Sequence, residues 1–244
     1  MIRFIIAIPF ILIVLILACV FLLVTWILGA CKPLAKDFFA LRFVQWVFRV
    51  LLKIAGVKLT LKGKENMPKE PALYVANHRS IFDIFVMYIQ CDSRTGFVAK
   101  NSIEKVPILR TWMRHLYCLF LDRKDIKQGL KVILQAIDYI KLGISICIFP
   151  EGTRNKEDGL SLLPFKEGSF KIALKTGCPI VPVAITYSTD VFENHIPLLK
   201  KTHVILEYGT PIDVKSLSRD EQKGIGATCQ SLIQDMLHKN AELV

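Results

Sequence analysis

From Phe4 to Ala30 the chain carries no charged residue. The run exceeds the roughly 20 apolar residues that cross a bilayer as a helix. In an apolar medium such a segment has to satisfy its backbone internally, and a helix does so. Lys32 and Lys36 follow the run while Arg3 alone precedes it. That asymmetry points to a cytoplasmic main domain.

The same stretch ends in Leu28-Gly29-Ala30-Cys31, a faint lipoprotein-type cleavage box. Against a removed signal stands its length, about twice the usual 7–15 residue apolar core. From Asp37 to Ala55 apolar residues dominate, interrupted by Arg42, Gln45, Arg49 and Lys53. These four lie three or four apart and form a basic stripe on one helix face, as in segments resting on anionic headgroups. A helix packed against the rest of the chain is the alternative. Both a spanning helix and a two-helix hairpin in one leaflet fit, so residues 1–56 read as membrane-anchoring helices and residues 57–244 as a separate α/β domain.

Within residues 57–244, apolar β-prone runs occur at 73–76, 96–99, 118–121, 144–149, 180–186 and 204–208. Helical stretches separate most of them, which predicts a single α/β domain with a central mixed sheet flanked by helices. The clearest helix spans Asp125 to Leu142, with Leu130, Ile133, Leu134, Ile137 and Ile140 as its apolar face and Gly143 as its stop. A second runs from Glu167 to Thr176. A last one begins with the capping-box pattern Ser218-Arg219-Asp220-Glu221 and continues towards Lys239.

Two polar clusters follow apolar runs, where an open α/β sheet keeps its sites. In Asn77-His78-Arg79-Ser80-Ile81-Phe82-Asp83 the spacing of His78 and Asp83 is wrong for one helix face and right for a turn. Asp83 can then fix the tautomer of His78, whose other nitrogen removes a proton from a substrate hydroxyl. No serine or cysteine nucleophile is needed. In Glu151-Gly152-Thr153-Arg154 the glycine lets backbone amides approach an anion, and Arg154 offers a bidentate fork. Arg123 can join it, or pair locally with Asp122 or Asp125. Lys100 can bind phosphate while the amides around it face an oxyanion, or simply be solvated. Glu151 either organises its loop or binds substrate hydroxyls.

The 32 basic against 21 acidic residues give a net charge of +11, which calls for an anionic partner. No nucleic-acid signature is present and the basic residues are spread along the chain, so a membrane surface or a phosphorylated molecule fits better. The seven cysteines lie mostly in apolar contexts without paired spacing and read as reduced core residues. No metal-ligand spacing is visible, and no metal is expected.

In order and spacing, His78-x4-Asp83 after Asn77, Phe120-Leu121-Asp122-Arg123, Phe149-Pro150-Glu151-Gly152-Thr153-Arg154 and Val181-Pro182-Val183-Ala184 resemble the glycerolipid acyltransferase superfamily. Within it the chain is similar to the 1-acyl-sn-glycerol-3-phosphate acyltransferases, over residues 59 to 208. At one position it departs: where members usually carry a glycine shortly before the Phe-x-Asp-Arg block, this chain has Tyr117. The resemblance implies acyl transfer from acyl-CoA or acyl carrier protein to lysophosphatidic acid at a membrane phospholipid surface. Other lysophospholipids, glycerol 3-phosphate and acylated amino acids are alternative acceptors, and a non-catalytic lipid-binding role is the reading from another class. The implied catalytic residues are His78 and Asp83, and the implied substrate-binding residues are Lys100, Arg123, Glu151, Gly152, Thr153 and Arg154. Neither a bound cofactor nor a nucleic-acid partner is expected.

Overall fold

The computed structural model describes residues 2–157 and 159–243. Among them, β1 (Val57–Lys62), β2 (Leu73–Ala76), β3 (Thr95–Lys100), β4 (Leu119–Leu121), β5 (Ser145–Ile148), β6 (Ile180–Thr186) and β7 (Thr202–Tyr208) form one sheet in the order β1-β7-β6-β2-β5-β3-β4. From β6 to β4 all neighbours are parallel; β7 runs antiparallel to β6, and β1 parallel to β7. The sheet is therefore mixed, as expected. Every residue of β2, β5 and β6 is buried. Both faces are covered, which is why these strands read as unbroken apolar runs.

The helices are α1 (Ile2–Cys31), α2 (Pro33–Ala55), α3 (Phe82–Tyr88), α4 (Pro107–His115), α5 (Ile126–Lys141), α6 (Lys171–Thr176), α7 (Arg219–Lys223) and α8 (Ile225–Ala241). Tyr74 and Ala76 point into a core shared with the first four, while Leu73 and Val75 point into one shared with α5, α6 and α8. Alternation along a strand places each face. The edge strand β1 has no unbroken apolar run. Its alternating Val-Lys-Leu-Thr-Leu-Lys pattern was passed over in the sequence.

Three helix expectations need correction. On α5 the buried positions are Val132, Ala136, Ile137 and Ile140, while Leu130 and Leu134 are exposed. The small Ala136 lets the helix approach the sheet on a face that counting only large residues overlooks. The C-terminal helix is broken at Gly224 into α7 and α8, although Ser218 does make the capping box. On α2 the predicted stripe is split: Arg42, Arg49 and Lys53 are exposed, but Gln45 is fully buried and donates to Tyr88 O (3.2 Å) and Cys91 O (2.7 Å). Arg49 reaches Ile89 O as well. Here α2 closes the C-terminal end of α3, whose last carbonyls lack helical partners, and Phe48 stacks on Phe85.

Most of α1 remains uncovered, with Ile5, Ile16, Leu23 and Trp26 all exposed. Near its start the Arg3 guanidinium lies over Gly56, at the end of α2. Further along, Trp112 Nε1 of α4 donates to Ala18 O (3.2 Å) and Thr25 Oγ1 lies 3.3 Å from His115 Nε2. Between these points Phe10 packs on Trp46 and Phe21 on Phe39 and Phe43, so one face of the helix lies along α2.

Tyr117, at the position where glycine was anticipated, has φ +58°. This left-handed conformation explains the glycine preference. Its carbonyl packs against Gly96 of β3, where an added Cβ would come within 2.2 Å of the oxygen. The Tyr117 hydroxyl donates to buried Asp37 of α2 (2.5 Å). Five cysteines are buried as free thiols, and Cys19 and Cys31 lie exposed on α1. Burial pushes Cys91 up to about 12 and Cys118 up to about 11, so both stay protonated.

Candidate active site

Where β2 ends, the Asn77 side chain donates to Ile185 O (2.9 Å) and accepts from Ile185 N (2.8 Å). A side-chain amide thus adds one more rung between β2 and β6 while the main chain turns away. His78 stands on that turn with Nδ1 2.9 Å from Asp83 Oδ2. The same oxygen accepts from Arg79 N (2.7 Å) and Ser80 N (2.8 Å), and Asp83 is fully buried. Three donors hold the carboxylate in place. The imidazole also stacks on Phe149, with ring centroids 4.1 Å apart. With Nδ1 donating to Asp83, Nε2 carries a lone pair, and it has no hydrogen-bond partner among the described residues.

Four successive backbone amides in this turn end on carboxylates. His78 N donates to Glu151 Oε1 (2.7 Å), Arg79 N and Ser80 N to Asp83, and Ile81 N to Glu193 Oε1 (2.8 Å). None is left to stabilise an oxyanion. Ser80 Oγ donates to Glu193 Oε2 (2.6 Å), so the turn's one hydroxyl faces away from the imidazole.

Glu151, expected beside a substrate, has a different setting. Its second oxygen accepts from Leu163 N (3.0 Å), and the side chain is buried. Burial raises its carboxyl above the usual range, and the His78 and Leu163 amide bonds pull the other way. Of its two anticipated roles, organising the loop is the one the contacts fit. Asn155 N adds a bond to His78 O (2.7 Å), locking the two loops together. Gly152 has φ +73°, and a Cβ there would lie 2.7 Å from Lys166 Nζ. Only glycine fits.

Thr153 and Arg154 are exposed at the tip of this loop. Arg154 Nη1 lies 3.3 Å from Glu193 Oε1 instead of pairing with Glu151 or Glu157. The backbone carbonyls of Glu157 and Gly159 are occupied by the Arg79 guanidinium. Arg123 is exposed and makes no ion pair among the described residues; Asp122 accepts from Lys124 N, and Asp125 caps α5. The alternative of a local pair between Arg123 and Asp122 or Asp125 therefore does not form. Lys100 ends β3, exposed, in register with Leu121 of β4. That places Lys100 and Arg123 at adjacent strand ends. No group of three or more histidine, cysteine or acidic side chains suited to a metal occurs among the described residues. Glu193 was missed in the sequence: it lies in no motif and meets the turn only through the fold.

A buried carboxylate orienting an imidazole at the carboxyl edge of an α/β sheet, with no nucleophilic side chain bonded to that imidazole among the described residues, is an arrangement suited to general base catalysis on a hydroxyl. More narrowly, the chain belongs to the acyltransferase family, whose model matches residues 58–186. It is 32% identical to a 1-acyl-sn-glycerol-3-phosphate acyltransferase of Borreliella burgdorferi, over 80% of this chain and 76% of that protein. To the Saccharomyces cerevisiae protein of the same name it is 29% identical, over 78% of this chain and 64% of the relative; that alignment spans less than two thirds of the yeast protein. The Escherichia coli protein of that name is 32% identical, over 68% of this chain and 66% of its own length. The crystal structure of the 1-acyl-sn-glycerophosphate acyltransferase PlsC from Thermotoga maritima shares the fold, with a TM-score of 0.72 and 24% identity over 94% of this chain and 95% of that one.

Proposed function

We propose that this protein transfers an acyl group from a thioester, acyl-CoA or acyl carrier protein, to the sn-2 hydroxyl of 1-acyl-sn-glycerol 3-phosphate, giving phosphatidic acid. The observation that carries the reading is the 2.9 Å bond from His78 Nδ1 to buried Asp83, which leaves Nε2 open. Relatives named for this reaction support the choice of acceptor. Nε2 takes the proton as the hydroxyl oxygen attacks the thioester carbonyl. The imidazolium then returns it to the departing thiolate as the tetrahedral intermediate collapses. Arg154, with Arg123 and Lys100, holds the acceptor phosphate. Because the turn's amides are occupied, oxyanion donors come from elsewhere, and the amides after Lys100 are the proposed source.

The exposed apolar length of α1 supports membrane association. Since α1 meets the protein near Gly56 and again at α4, we read it as lying in one leaflet alongside the domain, with the site on the cytoplasmic side. No bound cofactor or metal enters the proposed chemistry, so chelation should leave the rate unchanged. The test is acyl transfer by the purified full chain, with both donor types, across lysophosphatidate, glycerol 3-phosphate, other lysophospholipids and a neutral monoacylglycerol. Lysophosphatidate should be the best acceptor. A faster neutral acceptor would overturn the reading.

A further inference from the structure

Glu193 sits in a short 3-10 segment after β6 and belongs to none of the motifs. Its side chain nonetheless bonds to both halves of the site. Oε2 accepts from Ser80 Oγ (2.6 Å), and Oε1 accepts from both Ile81 N (2.8 Å) and Arg154 Nη1 (3.3 Å). Ser80 is fully buried and in turn accepts from Phe82 N (3.0 Å), the first residue of α3. One carboxylate therefore fixes the segment between His78 and Asp83 from the side that Asp83 does not reach. Charge-assisted bonds of this kind are short and strong when partly buried, and the Glu193 side chain is 18% exposed while that of Arg154 is 50% exposed.

We propose that Glu193 is a positioning residue with two linked effects: it clamps the turn carrying His78, and it holds the Arg154 guanidinium in competition with the acceptor's phosphate. The proposal rests on Arg154 being the phosphate grip. Arg154 needs its fork free to bind an anion bidentately, yet one of its nitrogens is already engaged. Glu193 thus lowers affinity for the anion while it supports the catalytic geometry, and the same oxygen serves both roles. Discrimination follows from this arrangement: an acceptor with a dianionic phosphate can displace the contact, whereas one without it leaves Arg154 parked.

The test compares Glu193→Gln, Ser80→Ala and Arg154→Ala, alone and with Glu193→Gln and Arg154→Ala combined, in the full chain in mixed micelles. Acyl-CoA and lysophosphatidate are the substrates. Calorimetric binding of glycerol 3-phosphate and hydrogen exchange over residues 79–85 serve as readouts independent of turnover. Glu193→Gln should lower kcat about tenfold, as expected when a charge-assisted bond is weakened. It should also lower KM and the glycerol 3-phosphate Kd by about threefold, because Arg154 is released. A role confined to folding would not tighten anion binding. Ser80→Ala should slow turnover and speed exchange with KM unchanged. On the Arg154→Ala background, Glu193→Gln should keep its kcat loss and lose its effect on KM. Unchanged kcat and exchange in Glu193→Gln, or a rise in Kd, would overturn the proposal. Should wild type fail to acylate lysophosphatidate while Glu193→Gln still tightens phosphate binding and loosens the turn, the proposed acceptor falls and the coupling stands.

Discussion

In the turn from Asn77 to Asp83, every amide from His78 to Ile81 ends on a carboxylate and Asp83 is fully buried. In the loop from Glu151 to Arg154 only Glu151 is buried, while Thr153 and Arg154 stand in solvent. Both segments follow strands of the same sheet, and direct bonds join them, yet one is fixed by acceptors on several sides and the other is buried only at its root, its tip held by the contact of half-exposed Arg154 with Glu193. Proton transfer demands a base held within a few tenths of an ångström. Gripping a mobile headgroup does not. In the proposed mechanism the contrast puts precision where bonds would change and adaptability where charge would be read.

The largest expected effect comes from breaking the rigid side. His78→Ala should lower kcat by on the order of 10²–10⁴, the usual worth of a general base, with Asp83→Asn retaining a small residual rate. A folded, membrane-bound His78→Ala protein turning over normally would erase the distinction between the two segments.

The next effect sharpens the adaptable side. Arg154→Ala should raise KM for lysophosphatidate strongly and change kcat less, whereas turnover of a neutral monoacylglycerol should barely respond. Arg154→Lys should recover only part of the loss, since an ammonium lacks the planar fork. Equal losses on both acceptors would mean that Arg154 maintains its loop.

The smallest effect lies at the joint. Burial raises the Glu151 carboxyl, so the folded chain keeps that proton to higher pH than the unfolded chain does. The resulting contribution to stability is fully present below the ordinary glutamate range and is lost as pH rises through the raised value. Glu151→Gln removes this titration. The difference in urea unfolding free energy, wild type minus variant, should therefore fall as pH increases across that range. A flat difference would show that the two amide bonds cancel the burial.

Reading the sequence went furthest where one segment carries its own instructions. β6 spans Ile180–Thr186, the limits of its apolar run, and Ser218 caps α7 with the Glu221 three residues on. The His78–Asp83 contact was legible for the same reason, because six consecutive residues contain both partners. What stayed hidden depends on segments far apart in the chain. Gln45 reads as one more polar position in a stripe until the end of α3 and the residues after it present two carbonyls. Glu193 reads as an ordinary surface acid until β6 delivers it to Ser80 and Arg154. Tyr117 was visible as an oddity, but its left-handed backbone emerges only once β4 has to start beside Gly96.

The first helix lies along α2 from Gly56 to α4, and its other face is a row of bare aliphatic side chains. If that face lies in a lipid film, as proposed, the enzyme would meet a lipid acceptor by lateral diffusion in a film two molecules thick. The quantity governing its rate is then the fraction of film molecules that are acceptor, not the amount per litre. Adding inert neutral lipid at constant total acceptor would slow such a catalyst, and water-soluble acceptors would reach it only from the side facing away from the film.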